Sequence, residues 1–248
     1  MLENLAKLSR IGFMRSLHGV LTWPIFSLTS GSMISDLVRQ GILPKTVIDV
    51  GANIGQFAVA ASKLFGSDGV SVHSFEPNPD CVPILRRNVK SLSGVSVRAV
   101  ALGKCPGLAA LKINAHSHSS SLLSLAGAHV AAFPTARELR AVEVPVTTLD
   151  IVFDEMPLIP PILLKLDVQG YEAHVLNGGK KLLKRVDYVV LEASFKAMYK
   201  GESLFLDLVR LMKDMGFIFC RPVGMLADPE TGEVLQADVL FKRAELVN

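Results

Sequence analysis

Apolar positions along this chain fall into two alternating rhythms. Short runs of strand type, "TVIDVG", "VSVHSFEPN", "VSVRAVALG", "PILLKLDVQG" and "VDYVVLEASF", alternate with stretches of helical spacing. The helical stretches are "MISDLVRQG", stopped by Gly41, "QFAVAASKLFG", ending at Gly66, "DCVPILRRNVKSL", "YEAHVLNGGKKLLKR" and "SLFLDLVRLMKDMG". Near-continuous apolar strands joined through helices predict repeated β-α-β crossovers and a parallel sheet. After Gly103 the rhythm changes: "GLAALKIN" and "AVEVPVTTLD" predict two more strands, with "HSHSSSLLS" and "AGAHVAAF" between them, an insertion on the sheet. The chain closes with "FIFCRPVG" and "QADVLFKR" around the turn-like "DPETGE", a hairpin whose last strand should run antiparallel to the rest.

Composition changes this picture little. A chain of 248 residues, half hydrophobic and one-fifth charged (20%), suits one folded α/β domain with a short extension. The net charge of +3, from 26 basic and 23 acidic residues, names neither a nucleic acid nor a membrane as partner. Cys81, Cys105 and Cys220 are odd in number and widely spaced, which predicts no disulfide framework, no zinc site and a reducing, cytoplasmic setting. Lys7, Arg10 and Arg15 precede the apolar stretch "LHGVLTWPIFSL" from Leu17 to Leu28, which is shorter than the roughly 20 residues that span a bilayer. Residues 1–40 are therefore read as a helical extension and 41–248 as the main domain, with a membrane-surface or targeting helix over residues 1–30 as the competing reading.

In open α/β sheets ligands gather beyond the carboxyl ends of the strands, so the turn after "TVIDVG" is the prime site. A phosphate loop would need G-x-x-x-x-G-K-[ST], which the chain lacks; the dinucleotide fingerprint would put glycines at 51, 53 and 56, where Gly51, Asn53 and Gln56 stand. What is present is Asp49 two residues before Gly51, then Asn53 and Gly55, with a second acid, Glu76, closing the next strand. Each part alone has a plainer explanation, a turn glycine or a helix cap. Together they resemble the S-adenosylmethionine site of class I methyltransferases. Gly51 and Gly55 would admit the ligand close to the backbone, Asp49 would attract its cationic amino group, and Glu76 would accept from both ribose hydroxyls.

"VIDVGANIGQF", "FEPNP", "AVALG", "SSSLL", "VPVTTLD" and "LLKLDVQGYEAHVLNGG" stand in the order and at the spacing of FkbM-type methyltransferases, which the chain resembles over roughly residues 46–243. The resemblance implies a Rossmann-like, mostly parallel seven-stranded sheet with helices on both faces, an antiparallel C-terminal hairpin and a β insertion after strand three. It also implies S-adenosylmethionine as cofactor, held by Asp49, Gly51, Ala52, Asn53, Gly55, Glu76, Pro77, Asn78, Ala101 and Asp167. The implied reaction is O-methylation of a hydroxyl on a sugar, glycan or polyketide-like small molecule.

Methyl transfer from a sulfonium is a direct displacement, so the protein must align three atoms and remove a proton from a weakly acidic alcohol. "KLDVQGYEAH" offers Asp167 first and Glu172 second for that work, with Lys165 either catalytic or an internal partner of one of these acids. His174 reads as a packed or solvated histidine. Glu192, closing "VVLEASF", lies one strand away from Asp167, and Ser119, Ser120 and Ser121 are placed to cover the pocket and bond an acceptor's hydroxyls. Two carboxylates without a clear third ligand do not establish a divalent metal, nor does the His116/His118 pair. Nucleic-acid methylation is disfavoured by "LDVQG" where an amino-directed methylase carries [ND]-P-P-[YFW]; a catalytically silent binding module is the other alternative. The acceptor's identity and the oligomeric state are not written in these residues.

Overall fold

The computed structural model describes residues 25, 27–65, 69–133, 135–154 and 156–246. The basic and apolar N-terminal segment up to residue 24, and the expected helix stop at Gly66, lie outside them. In chain order the described residues form α1 (Leu28–Arg39), β1 (Thr46–Val50), α2 (Gln56–Leu64), β2 (Ser71–Phe75), α3 (Cys81–Val89), β3 (Val95–Arg98), β4 (Ala101–Leu102) and β5 (Gly107–Asn114). There follow α4 (Gly127–Ala132), β6 (Glu138–Thr147), α5 (Leu149–Phe153), β7 (Ile162–Leu166), α6 (Glu172–Asn177), β8 (Tyr188–Ser194), α7 (Phe205–Asp214), β9 (Phe217–Ala227) and β10 (Val234–Arg243).

Seven strands make the main sheet, in the order β3-β2-β1-β7-β8-β10-β9. The first five are parallel, and β10 runs antiparallel to both β8 and β9, as the terminal hairpin predicts. Strand order reverses between β1 and β7, where a ligand crevice belongs. Both of these strands are buried at every position, which is why they read as unbroken apolar runs.

One apolar layer holds Ile48, Val50, Leu164, Leu166 and Leu191 with residues of α5, α6 and α7; the other holds Val47, Leu163, Val190 and Leu240 with residues of α1, α2 and α3. Alternation along each strand then assigns Asp49, Lys165, Glu192 and Asp238 to the second face. Register aligns them: Asp49 is opposite Lys165, and Glu192 is opposite Asp238. A row of ionisable groups therefore crosses four neighbouring strands on one side of the sheet.

Three local differences from the expected plan have physical reasons. "VSVRAVALG" is not one strand: β3 ends at Arg98, and β4 joins a separate three-stranded sheet ordered β4-β6-β5. The helical stretch after "KLDVQG" stops at Asn177 with Gly178 as its C-cap, and a Cβ at Gly178 or Gly179 would run into the Gly103 carbonyl or Leu149. Helix α1, inside the stretch assigned to the extension, buries Met33, Ile34 and Leu37 in the same layer as β1 and α2, and so packs as part of the domain. Among the described residues no helix is long and apolar enough to cross a membrane.

Candidate active site

Two neighbouring cavities lie at the carboxyl ends of β1, β2, β7 and β8. The narrower lies between Gly51, Asn53, Phe75, Glu76, Val100, Ala101 and Leu122. The wider, of about 480 Å³, is bounded by α1, the α2 start, the insertion and the ends of β7, β8 and β10. Gly51, Asn53, His118, Asp167 and Gln169 line both, so Asp167 stands where the two meet.

Glu76 shapes the narrow cavity. Its Oε2 accepts from the Asn53 N–H and its Oε1 from the Asn78 N–H, each at 2.7 Å. Burial pushes its pKa up to about 7 against the pull of those two donors. Each oxygen retains acceptor capacity toward the cavity, which suits a vicinal diol. Beside it, Phe75, Val100, Ala101 and Leu102 form an apolar wall. These residues fit the adenosine half of S-adenosylmethionine, with Pro77 and Ala101 on the lining and Asn78 holding Glu76.

The glycines have a second explanation that sequence spacing does not reveal. Gly51 and Gly55 both adopt positive φ, 78° and 98°. A Cβ on Gly51 would lie 1.8 Å from the Asp167 carbonyl oxygen, and one on Gly55 would lie 2.8 Å from Leu85. Each must be glycine because the protein itself occupies the space. Gly51 still lines the cavities with its backbone; Gly55 lines neither. Ala52 is buried and borders the wide cavity.

Asp49 is placed differently from its expected contact with the cofactor. It is fully buried, lines neither cavity, and its Oδ1 sits 3.2 Å from Lys165 Nζ. The cation facing Asp49 is the protein's own. Lys165 Nζ also donates to the Gly51 carbonyl at 3.2 Å, approaches Asp167 Oδ2 at 3.5 Å and lies 5.5 Å from the centre of the Phe57 ring. Burial opposes the charge on Lys165, but the Asp49 and Asp167 carboxylates outweigh it and raise its pKa. Of the two partners foreseen for Lys165, Asp167 is found and Glu172 is not.

Glu172 is buried below the β7–α6 turn, accepts from the Val168 N–H at 3.0 Å and reaches neither cavity; burial lifts its pKa to about 8. Glu192 does line the wide cavity, with Asp238 and Gln236 beside it. Burial first, then Asp167, Glu172 and Asp238, hold the Glu192 pKa well above the usual carboxylate range, and burial with Asp167 lifts Asp238 to about 6.

Sequence reading passed over Gln169. It follows Val168 in the turn with φ of 58°, a left-handed conformation uncommon outside glycine. Its Nε2 donates to Asp167 Oδ1 at 2.7 Å and to Glu192 Oε2 at 2.8 Å, while its Oε1 accepts from the buried Tyr199 hydroxyl at 2.6 Å. The signal was faint: a polar residue just before Gly170, in a turn after an acid-bearing strand.

The serines roof the site through bonds within the protein. Ser121 Oγ donates to the Gln169 carbonyl at 2.6 Å, Ser119 Oγ to the His116 carbonyl at 2.9 Å, and Ser120 Oγ accepts from the Asn114 N–H at 3.2 Å. Ser120 and Ser121 line the narrow cavity and Ser119 the wide one. His118 reaches the side-chain amides of Asn53 at 3.3 Å and Gln56 at 3.4 Å, whereas His116 turns to Thr135 at 3.0 Å. Among the described residues no group of three or more His, Cys, Asp or Glu is arranged to hold a metal ion. His174 stacks on Tyr171 with ring centres 4.1 Å apart.

The methyltransferase FkbM domain, as a family description, matches residues 49–219. The chain belongs to the FkbM methyltransferase family. Two characterised relatives of this methyltransferase are distant. The hexuronic acid methyltransferase AglP of Haloferax volcanii is 27% identical over 182 residues, 70% of this chain and 69% of that protein. The 2-O-methyltransferase NoeI of Sinorhizobium fredii is 23% identical over 188 residues, 73% of this chain and 76% of that protein. A solved FkbM methyltransferase from Methylobacillus flagellatus shares the fold at a TM-score of 0.50 and 16% identity, over 82% of this chain and 46% of that one. The methyltransferase sheet is thus the class I, Rossmann-like arrangement.

Proposed function

We propose that this methyltransferase moves the methyl group of S-adenosylmethionine to a hydroxyl of a sugar or glycan. The observation that carries the reading is Asp167, half-open where a narrow cavity lined by Glu76 and apolar side chains adjoins a wider, acid-floored one. The two characterised relatives, named for a hexuronic acid and a 2-O position, support a sugar hydroxyl over a polyketide one. S-adenosylmethionine, when bound, supplies a methyl group on a positively charged sulfur.

In this reading Glu76 holds the ribose diol, while the Gly51–Asn53 backbone and Asp167 face the methionine end. Glu192 and Asp238 bind acceptor hydroxyls, and Ser119, Ser120 and Ser121 close the roof over them. Asp167 accepts the proton of the attacking hydroxyl. Bound there, S-adenosylmethionine would supply the methyl carbon and its departing sulfide would keep the electron pair of the broken bond, while Asp167 would take the O–H proton of the acceptor. Lys165, anchored by Asp49, holds Asp167 in place. Glu172 supports the turn rather than the substrate. No step calls on a metal, and retention of activity after exhaustive chelation is expected. The three cysteines are free thiols, which favours a reducing, cytoplasmic setting.

The test is incubation of the full chain with methyl-labelled S-adenosylmethionine and three acceptor sets: free and lipid-linked glycosides, polyketide-like alcohols, and nucleic acid. Label in a glycoside fraction is expected. Label confined to nucleic acid would overturn the acceptor class, and absence of cofactor binding by calorimetry would leave only a silent module.

A further inference from the structure

A carboxamide between two carboxyl groups is chemically directional. Its nitrogen carries two protons and its oxygen none, so three neighbours fix which way Gln169 faces: two acids need donors, and the Tyr199 hydroxyl needs an acceptor. Both N–H bonds are used, one on Asp167 at 2.7 Å and one on Glu192 at 2.8 Å. The Gln169 backbone is held as firmly as its side chain. Its carbonyl takes the Ser121 hydroxyl at 2.6 Å, and its left-handed φ of 58° is a strained choice for a residue with a Cβ. Gly170 follows with φ of 88° and would place a Cβ 3.0 Å from Tyr199, so the next position is shaped to the same contact. Tyr199 itself is fully covered, and its hydroxyl also lies 3.1 Å from the Ser119 carbonyl. Strain at a cavity junction, with every polar atom of the side chain engaged, is the mark of a residue placed for the site.

We propose that Gln169 is the positioning residue of this active site: its carboxamide couples Asp167 and Glu192 into one unit, turning the first toward the methyl donor and the second toward the acceptor. The inference rests on the O-methyltransferase reading for its kinetics but not for its titration. By donating to Asp167 Oδ1, Gln169 leaves Oδ2, the oxygen nearest Lys165, as the one that receives the acceptor's proton. By donating to Glu192 Oε2, it leaves Oε1 for an acceptor hydroxyl. Two acids this close repel each other, and one amide nitrogen that donates to both offsets part of that repulsion and fixes their spacing. Facing this unit are Lys165 from β7, Glu172 from α6, Asp238 from β10 and Tyr199 from the segment after β8.

The proposal is tested on the full chain in three variants, Gln169→Leu, Gln169→Glu and the milder Tyr199→Phe. Glutamate and aspartate carboxyl carbons are labelled with carbon-13, Glu192 and Asp167 are assigned through Glu192→Gln and Asp167→Asn, and both are followed by NMR from pH 4 to 9. In Gln169→Leu the Glu192 midpoint should move up, because a donor to its ionised form is gone; in Gln169→Glu the cluster should hold one more proton at pH 7. With the acceptor that takes label, kcat of Gln169→Leu should fall about a hundredfold while the KM for S-adenosylmethionine stays within about twofold, and the acid limb of the Gln169→Glu profile should move to higher pH. Tyr199→Phe should move both readouts the same way, by about fivefold in kcat. Shifted titration curves without any methylated hydroxyl would keep the coupling and sink the O-methyltransferase reading. Unchanged Glu192 and Asp167 curves in variants that bind S-adenosylmethionine normally would overturn the proposal.

Discussion

Asp49 and Lys165 show how a single residue can look like a ligand contact in the sequence and be a foundation in the structure. The pair is buried, so removing one partner leaves a buried charge, at a cost of about 3–5 kcal/mol. Asp49→Ala should lose that much stability and its cofactor affinity together. The double variant Asp49→Leu/Lys165→Met should regain the stability, as urea unfolding would show, yet remain slow in methyl transfer because Asp167 has lost its ammonium. If the double variant stays as unstable as the single one, the two residues do not act as a pair. Glu76 behaves oppositely: it is buried but faces the ligand. Glu76→Gln turns an amide N–H toward a backbone N–H and weakens the diol contact, so S-adenosylmethionine affinity should drop by about 2–3 kcal/mol, or roughly a hundredfold. Because the free carboxyl titrates at about 7 and only its ionised form accepts two hydroxyls fully, calorimetry should find affinity rising with pH up to about 7 and then levelling. A flat profile from pH 5.5 to 8 would mean that Glu76 does not meet the ribose.

At the scale of elements, the glycine turn between β1 and α2 is built against the end of β7. Gly51→Ala forces a methyl group into the Asp167 carbonyl at positive φ, so it should destabilise the protein by about 3 kcal/mol or more and separate the strand ends that carry the site. Hydrogen exchange of residues 46–51 and 162–168 reads this directly, and unchanged protection there would contradict the contact. The strands and this turn were legible in the sequence because burial on both faces leaves an unmistakable apolar run, and because a charged residue inside such a run must be explained. Asp49, Lys165 and Glu192 announced themselves in that way. Gln169 did not, since its importance comes from Glu192 on the next strand and Tyr199 thirty residues later, and neither contact has a period. The two-residue β4 was hidden for a related reason: "AVALG" continues the apolar pattern of β3, and only pairing with β6 shows that the chain has changed sheets. Glu172 stands apart from both cavities because its helix turns it beneath the loop, where its carboxylate accepts from the Val168 N–H.

Across the whole molecule, buried carboxyl groups that the fold would rather keep protonated gather around the carboxyl ends of the parallel strands. Glu76, Glu172 and Asp238 titrate at about 7, 8 and 6, and Glu192 well above the ordinary range, each raised chiefly by burial. A group whose folded pKa is raised contributes its stability below the unfolded value and loses it as pH climbs through the folded one. Between those limits the native chain binds more protons than the unfolded chain, so stability must fall with rising pH. His73, His129 and His174 have the opposite sign: burial lowers their pKa values, and they favour the native state as pH rises toward their ordinary value of about 6.5. The clean window therefore lies above the histidines, from about pH 6.5 to 8.5, where Glu172 and Glu76 dominate. Urea unfolding of the ligand-free protein should show stability decreasing by a few kcal/mol across that window, on the order of one pKa unit's 1.4 kcal/mol for each unit that Glu172 and Glu76 cross. Glu172→Gln should flatten the slope and leave the variant more stable than the parent at pH 8.5, while Glu172→Gln in the presence of saturating S-adenosylmethionine should still methylate, since Glu172 reaches neither cavity. Stability that is level or rising over pH 6.5–8.5 would show that the buried carboxyls are already ionised in the folded chain, and with that the acid-floored cavity would hold a fixed negative charge suited to a cationic acceptor rather than to a neutral sugar.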